Sequence, residues 1–349
     1  LPSPPFKTSG KQILFILNVK NIVYFLLFST HISSNEKKLT KADEPMDIPE
    51  PEIIKSGVVA LAGPPNAGKS TLLNTLLGQK ISIVTPKPQT TRNRIAGVLN
   101  GDGYQIVLLD TPGLHRSSDL LNQEMVQVAL DSLQGVEAVV FMVDVARHHA
   151  SGQNREKEEY KSYLDTVDCP AFLLLNKIDL ISREQLLPII EFYATLYAFK
   201  GVIPVSALKG EGLEQLVEEL VTLMPPGFKY FPDDVPTDAT ERFLSAEIIR
   251  EKVFLLTGQE IPYSSAVLIE SFKDDELRRL VEIHASIYLE RKSQKGIVIG
   301  KGGEKIKQIG TAARKDIEEM LDCRVQLNLW VKIKKHWSRD QRFLKELGF

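Results

Sequence analysis

The chain has 349 residues, of which 43% are hydrophobic and 25% are charged, and its formal net charge is −2. This length suits two or three domains with cores of their own, and the composition excludes fibrous and wholly disordered proteins. Its two cysteines, Cys169 and Cys323, are far apart in sequence and indicate neither a disulfide framework nor a zinc site. Residues 284–339 contain 13 Lys and Arg against 6 Asp and Glu, a net charge of +7. This basic region predicts a polyanionic partner.

Residues 1–55 differ in composition from the rest of the chain. The apolar run from Ile13 to Phe28 is short and interrupted by polar residues, so a membrane-spanning helix is not favoured. No acidic residue precedes Glu36, as in organellar transit peptides, but arginine is also absent there. We interpret residues 1–55 as a poorly ordered extension and linker. We expect a cytoplasmic protein of bacterial type, with peripheral attachment to the inner membrane as an open alternative and organellar targeting as a less favoured one.

Apolar strand-like runs alternate with helical patterns over residues 56–223, which is typical of a mostly parallel sheet with helices on both faces. The expected strands are 58–62, 95–99, 105–109, 138–143, 171–175 and 202–205. A turn sequence, Asn100-Gly101-Asp102-Gly103, predicts one antiparallel pair. The fold class is therefore α/β, a nucleotide-binding domain with a six-stranded sheet. Several prolines in residues 224–239 predict a linker after it.

The region 240–349 reads as a second, α+β domain with the element order α-β-β-α-α-β. Two tryptophans lie near its end. We expect Trp330 in the core of this domain, and Trp337, which lies among basic residues, either against RNA or against the first domain.

The first strand leads into a glycine-rich segment with the sequence Gly63-Pro64-Pro65-Asn66-Ala67-Gly68-Lys69-Ser70-Thr71. Glycines at both ends of such a loop allow backbone N–H groups to surround a phosphate chain. Lys69 can reach the outer phosphates, and the Ser70 hydroxyl can ligate Mg²⁺ at the start of a helix. This segment predicts binding of a nucleoside triphosphate.

Three further segments, each after its own strand, specify the nucleotide. In Asp110-Thr111-Pro112-Gly113, the carboxylate can hold Mg²⁺ and the Gly113 N–H can contact the γ-phosphate. In Asn176-Lys177-Ile178-Asp179, the last carboxylate can accept both N1–H and the 2-amino group of guanine, which adenine cannot offer. The third segment, Ser206-Ala207-Leu208, fits a loop whose backbone N–H contacts the guanine oxygen. Together they predict GTP and GDP as ligands.

Residues 86–92, Pro-Lys-Pro-Gln-Thr-Thr-Arg, lie where a nucleotide-sensing switch is expected. One threonine should reach Mg²⁺ and the γ-phosphate; we favour Thr91 and keep Thr90 open. Leu114 occupies the position where a glutamine orients water in small GTPases, and a leucine cannot do so. We therefore expect slow intrinsic hydrolysis, and the sequence leaves open which group positions the water.

A second glycine-rich loop, Gly300-Lys301-Gly302-Gly303, lies between an apolar helix and an amphipathic one. This pattern is typical of the Gly-x-x-Gly loop of a KH domain, which holds the sugar-phosphate backbone of single-stranded nucleic acid. With Lys301, the lysines Lys305 and Lys307 supply positive charge around the loop. The element order fits the type II arrangement, so residues 240–349 are interpreted as a type II KH domain that binds RNA.

Over residues 57–349 the sequence resembles the Era family of GTPases, on the strength of the phosphate loop, Pro-Gln-Thr-Thr-Arg-Asn-Arg, Asp-Thr-Pro-Gly, Asn-Lys-Ile-Asp and the KH domain. The resemblance implies GTP hydrolysis stimulated by K⁺, with Asn66 associated with that ion. Hydrolysis would then depend on Lys69, Thr91, Gly113 and Asn66. It also implies binding to the 3′ end of small-subunit ribosomal RNA and a checkpoint role on the immature small subunit. We expect a monomer.

Two other functions remain open at this point. One is an RNA-binding protein in which GTP is only a structural ligand, which the slow chemistry expected at Leu114 would allow. The other is a membrane-associated GTPase of cell-cycle control.

Overall fold

The computed structural model describes residues 52–114, 119–147, 153–258, 260–275 and 277–349, with backbone only for 153–156 and for 15–19 and 22–26. The N-terminal unit, residues 1–51, contains one antiparallel pair, β1 (Phe15–Val19) and β2 (Ile22–Leu26). Most of the predicted poorly ordered extension, residues 1–55, lies outside the described residues. No helix in the described parts of the chain is long and apolar enough to cross a membrane.

A seven-stranded sheet forms the centre of the nucleotide-binding domain. Its strands are β3 (Ile54–Ala62), β4 (Ile95–Gly101), β5 (Tyr104–Asp110), β6 (Ala138–Asp144), β7 (Ala171–Asn176), β8 (Gly201–Val205) and the two-residue β9 (Pro226–Gly227). The order is β4-β5-β3-β6-β7-β8, parallel except for the β4-β5 pair, while β9 pairs antiparallel with β3. The expected mostly parallel sheet is confirmed; β3 begins earlier than predicted and β9 was not predicted.

Both faces of this sheet are buried, as β6 illustrates. Val139, Phe141 and Val143 pack into an apolar cluster with helices α2, α3 and α4, whose bounds are Leu120–Asp131, Gln153–Leu164 and Arg183–Ala194. The alternate residues Val140 and Met142 pack into a second cluster with α1 and α5, which span Lys69–Leu77 and Leu213–Leu223. Because successive side chains of a strand point to opposite faces, a strand covered on both sides reads as an unbroken apolar run.

The linker 224–239 follows the edge of this sheet. The side-chain oxygen of the buried Gln105 accepts hydrogen bonds from the N–H groups of Tyr230 at 2.6 Å and Phe231 at 3.0 Å. Further along, the Val98 N–H donates to the Pro236 carbonyl at 2.8 Å. These bonds hold the linker on the nucleotide-binding domain.

The second domain has the predicted α-β-β-α-α-β order. Its elements are α6 (Glu241–Leu256), β10 (Ser265–Asp275), β11 (Leu280–Leu289), α7 (Lys292–Ile299), α8 (Glu304–Leu321) and β12 (Arg324–Ile333). Strand β11 pairs antiparallel with β10 and parallel with β12. Apolar side chains from the strands and helices share one cluster that includes Ile249, Ile287, Ile317 and Val331.

The positions of the two tryptophans agree only in part with the sequence prediction. Trp330 is 43% exposed, so its predicted core position is wrong; on β12 the odd-numbered Val325 and Val331 face the core and the even-numbered residue faces outward. Trp337 is fully buried. It packs with the C-terminal helix α9 (Gln341–Glu346) and with Leu121 of α2, against the first domain, which was one of the two predicted positions.

Candidate nucleotide and RNA-binding sites

The phosphate loop connects β3 to α1 in a conformation that depends on glycine. Gly63 has φ +133°, and a Cβ there would lie 2.1 Å from the Met142 carbonyl oxygen. Lys69 is buried, and its ammonium donates to the carbonyls of Gly63 at 2.9 Å and Pro64 at 3.0 Å. Burial lowers the pKa of Lys69 to about 8, while the charge of Asp110 opposes that shift. The loop therefore holds a cation against its own carbonyl groups, where an anionic phosphate would compete for it.

Three oxygen-bearing side chains converge at the start of α1. The Ser70 hydroxyl donates to Asp110 Oδ2 at 2.6 Å and lies 2.7 Å from Thr91 Oγ1, which is 3.5 Å from the same carboxylate oxygen. Asp110 is fully buried and its other oxygen, Oδ1, has no hydrogen-bond partner. Burial raises the pKa of Asp110, and the hydroxyl hydrogen bonds and Lys69 oppose that shift. An all-oxygen set around a buried carboxylate fits Mg²⁺.

Thr91, rather than Thr90, faces this oxygen cluster. The Thr90 hydroxyl is hydrogen-bonded within its own loop, to Thr85 Oγ1 at 2.6 Å and to the Lys87 carbonyl at 2.7 Å. The geometry therefore favours Thr91 as the metal ligand, as the sequence did.

The second and third nucleotide motifs meet at the carboxyl ends of β7 and β8. The Ser206 hydroxyl donates to Asp179 Oδ1 at 2.8 Å and so orients the carboxylate. Asn176 joins the loops, because its amide donates to the Ala67 carbonyl at 2.7 Å and accepts from the Ala207 N–H at 2.9 Å. Hydrogen bonds thus connect the two guanine motifs to each other and to the phosphate loop.

Two adjoining cavities connect these motifs. The smaller, about 60 Å³, lies over the phosphate loop and is lined in part by Pro65, Gly68, Lys69, Ser70, Thr91, Thr111 and Gly113. The larger, about 400 Å³, is lined in part by Asn176, Lys177, Asp179, Ser206 and the exposed Leu208. Asn66 and Thr71 line both, so the cavity over the phosphate loop continues into the cavity at the predicted guanine motif. Pro112, the remaining motif residue, joins Thr111 to Gly113, and the Thr111 hydroxyl donates to the Leu61 carbonyl at 2.7 Å.

One contact in this site was not predicted. The Lys177 ammonium donates to the Asn66 carbonyl at 3.0 Å and to Asp144 Oδ2 at 2.5 Å. Asp144 is the last residue of β6, and a carboxylate at the end of a buried strand was the signal that could have identified it. This bridge ties the guanine motif to the phosphate loop.

Leu114 packs inside the domain and does not face the phosphates. It is 1% exposed, belongs to the apolar cluster with Phe141 and Val143, and its N–H donates to the Gly63 carbonyl at 3.0 Å. The expectation that this side chain cannot orient water agrees with its position.

The second glycine loop joins α7 to α8. Gly300, Gly302 and Gly303 have φ of +74°, +62° and +84°, a region that other residues rarely adopt. At Gly300 a Cβ would lie 2.6 Å from Lys305 Cβ, so the turn is tight. Lys301 lies exposed at its tip.

A groove of about 440 Å³ runs beside this loop between α8 and β12. Its floor is apolar, with Ile306, Leu327 and Leu329, and its rim carries Lys307 and Arg314. Lys305, at the start of α8, hydrogen-bonds Gln308 at 3.3 Å. Arg314 was missed from the sequence because it lies beyond the loop; the helical spacing of seven residues from Lys307 was the available signal. An apolar floor with a basic rim suits bases and phosphates together.

Comparisons with known proteins agree with both domains. Residues 58–177 match the family described as 50S ribosome-binding GTPase, and residues 260–338 match the KH domain family. The chain is 51% identical over 295 residues to GTPase Era of Geotalea uraniireducens, covering 84% of this chain and 98% of that protein. It is 48% identical over 299 residues to GTPase Era of Syntrophus aciditrophicus, covering 85% and 96%.

Two solved structures resemble the whole described two-domain unit. One is a variant of Aquifex aeolicus Era bound to GDP and AlF4⁻, at 38% identity and a TM-score of 0.80, covering 84% of this chain and 99% of that one. The other is Era in complex with MgGDPNP and nucleotides 1506–1542 of 16S ribosomal RNA, at 39% identity and a TM-score of 0.80, with the same coverage. Since relatives of about half-identical sequence are matched over nearly their full length and in both domains, this chain belongs to the Era family of GTPases.

Proposed function

We propose that this GTPase binds small-subunit ribosomal RNA near its 3′ end through the KH domain and couples its nucleotide state to maturation of the small subunit. The observation that carries the proposal is the groove between α8 and β12, with its apolar floor and basic rim beside the Gly300–Gly303 loop. An Era relative is known in complex with nucleotides 1506–1542 of 16S ribosomal RNA. The same class of RNA is therefore the proposed partner here.

We assign a role to each motif of the nucleotide site. The phosphate-loop N–H groups and Lys69 hold the phosphates, and Asp179 reads the guanine edge. Ser70, Asp110 and Thr91 would hold Mg²⁺, which would neutralise negative charge on the phosphates. Because Thr91 lies in the segment before β4, the presence of the γ-phosphate is sensed outside the phosphate loop.

Crosslinking tests the proposed RNA partner. Full-length protein is irradiated with immature small subunits in the presence of a non-hydrolysable GTP analogue or of GDP, and the attached RNA is sequenced. We expect crosslinks concentrated at the 3′-terminal region of the small-subunit RNA and more abundant with the GTP analogue. Crosslinks spread evenly over the RNA would contradict the assigned site. Equal yields in both nucleotide states would favour an RNA-binding protein with GTP as a structural ligand.

Potassium is the second part of the proposal, since Leu114 is buried and cannot place water. Asn66 lies on the phosphate loop with φ +64°, and its amide donates to the Pro86 carbonyl at 3.3 Å, which directs the side chain across the loop toward residues 86–92. A monovalent cation held there would add positive charge beside the phosphates.

Replacing K⁺ by Na⁺ at equal ionic strength should lower the rate of GTP hydrolysis by about tenfold, which corresponds to roughly 1.4 kcal/mol of transition-state stabilisation. The measurement is phosphate release under saturating GTP. In Asn66→Gly, which tolerates the left-handed backbone, GTP should still bind but the two salts should give the same rate. A wild-type rate that is equal in Na⁺ would remove the role given to Asn66.

A further inference from the structure

The segment 84–92, here called the switch segment, is held along its length by helix α6 of the KH domain. At its start, the Val84 N–H donates to Glu251 Oε1 at 3.0 Å. In its middle, the Lys87 ammonium donates to two carbonyls at the C-terminal end of α6. These are the carbonyl of Phe254 and that of Thr257, the latter at 2.9 Å. A cation is favoured there because the end of a helix carries partial negative charge.

Helix α6 buries three charged residues, Glu247, Arg250 and Glu251, which are 9%, 3% and 2% exposed. Charged side chains are rarely buried unless they are paired, because desolvation is costly. Part of the pairing is internal, since Arg250 Nε donates to Glu247 at 2.8 Å. Glu251 also accepts from its neighbour Lys252 at 3.0 Å. The other domain supplies further partners: Arg250 donates to the Thr90 carbonyl, and Glu251 accepts from Lys80 at 2.5 Å. Arg250 therefore contacts the switch segment directly, and Glu251 contacts both the first residue of that segment and Lys80 before it.

Arg92 ends the switch segment and reaches into the KH domain. It is 4% exposed, and its guanidinium donates to the carbonyls of Ser265 at 2.8 Å and Pro262 at 3.0 Å. The same group lies 5.7 Å from the ring centres of both Phe254 and Trp337, within the range of cation–π attraction. Burial and the nearby Arg250 lower the pKa of Arg92.

Thr91 is thus held between two contacts with the KH domain. Arg250 binds the carbonyl of the residue before it, and Arg92 is the residue after it. Between them, the Thr91 hydroxyl lies 2.7 Å from Ser70 Oγ, in the oxygen cluster assigned to Mg²⁺. An error of about 1 Å in placing such a group can lower a rate by about 100-fold.

We propose that the docked KH domain positions Thr91 for GTP hydrolysis, with Arg92 and Arg250 as the positioning residues. The KH domain then contributes to the GTPase reaction in cis, before any RNA is bound. Displacing it from the switch segment withdraws Thr91 from the metal and slows turnover. The inference concerns hydrolysis alone and holds whichever RNA occupies the groove.

The test compares Arg92→Ala and Arg92→Lys with wild type in single-turnover GTP hydrolysis and in GDP binding. We expect Arg92→Ala to be slower by about 10- to 100-fold. It should also need more Mg²⁺ for half-maximal turnover while keeping GDP affinity within about twofold, because GDP lacks the γ-phosphate that Thr91 serves. Arg92→Lys should recover part of the rate by restoring a buried cation. The matched control Arg278→Ala, at an exposed site in the turn between β10 and β11, should be unchanged.

Tryptophan fluorescence separates positioning from loss of folding. The chain has two tryptophans, and Trp330→Phe leaves the buried Trp337 beside Arg92 as the only reporter. In that background Arg92→Ala should shift the emission to longer wavelength and increase quenching by acrylamide, while GDP still binds. If Arg92→Ala fails to fold, Lys87→Ala, which removes the contact with the end of α6, gives the same comparison. A folded variant with the wild-type hydrolysis rate and Mg²⁺ dependence would overturn the proposal.

Discussion

Replacing Asp179 by asparagine should lower the affinity for GTP by at least about 100-fold and raise the affinity for xanthosine triphosphate. The carboxylate can accept two hydrogen bonds from guanine, and a hydrogen bond to a charged group contributes about 1.5–3 kcal/mol. An asparagine offers N–H groups where the carboxylate offered an oxygen, which opposes the 2-amino group of guanine. Xanthine has a carbonyl oxygen at that position and can accept from the new amide.

The environment of Asp179 explains why we expect a large loss of GTP affinity. Its side chain is 11% exposed, and Ser206 fixes one oxygen at 2.8 Å. The measurement is competition of GTP and xanthosine triphosphate against a fluorescent nucleotide, with the wild-type and variant proteins. Lys209→Ala is the matched control, since its ammonium is 4.0 Å from the carboxylate and 54% exposed, and such a pair contributes little. Unchanged GTP affinity in Asp179→Asn would refute the base assignment.

The phosphate loop and the guanine motifs could be predicted because their chemistry is local. The segment 63–71 follows a strand and starts a helix, and each later motif follows a strand of the same parallel sheet. The carboxyl ends of parallel strands meet at one edge, so motifs far apart in sequence converge there. The choice of Thr91 over Thr90 needed the structure for support, because the conformation of the loop decides which of two adjacent side chains faces the metal site.

The contacts between the two domains could not be predicted from the sequence. The bond from Arg250 to the Thr90 carbonyl joins residues 160 positions apart, and that from Arg92 to Ser265 joins residues 173 apart. No periodicity or turn signal specifies such a pairing, because it depends on how two folded domains dock. The prediction that Trp330 lies in the core was wrong for a related reason. Alternation along β12 defines two faces of the strand, but it does not tell which of them the helices cover.

A double charge reversal, Lys301→Glu with Lys305→Glu, should reduce RNA binding strongly while leaving GTP affinity unchanged. Lys301 lies in the loop between α7 and α8, and Lys305 lies at the start of α8, next to the tight glycine turn that lets a phosphate backbone approach. Losing two contacts with phosphates should lower the slope of log K against log salt concentration by about 1.4 for a single strand. Binding of a labelled oligonucleotide from the 3′ end of small-subunit RNA, measured over a range of salt concentrations, gives both quantities.

The matched control separates the loop from the overall charge. Lys273→Glu with Lys345→Glu changes the net charge by the same amount at two exposed sites, on β10 and on α9, outside the groove. We expect this pair to weaken binding only slightly, because charges beyond a Debye length of about 8 Å are largely screened at physiological salt. An equal loss in both double variants would mean that the RNA responds to the net charge of the domain. A loss confined to the loop variant would mean that the Gly300–Gly303 turn holds the backbone, since its glycines let a phosphate approach the main chain closely.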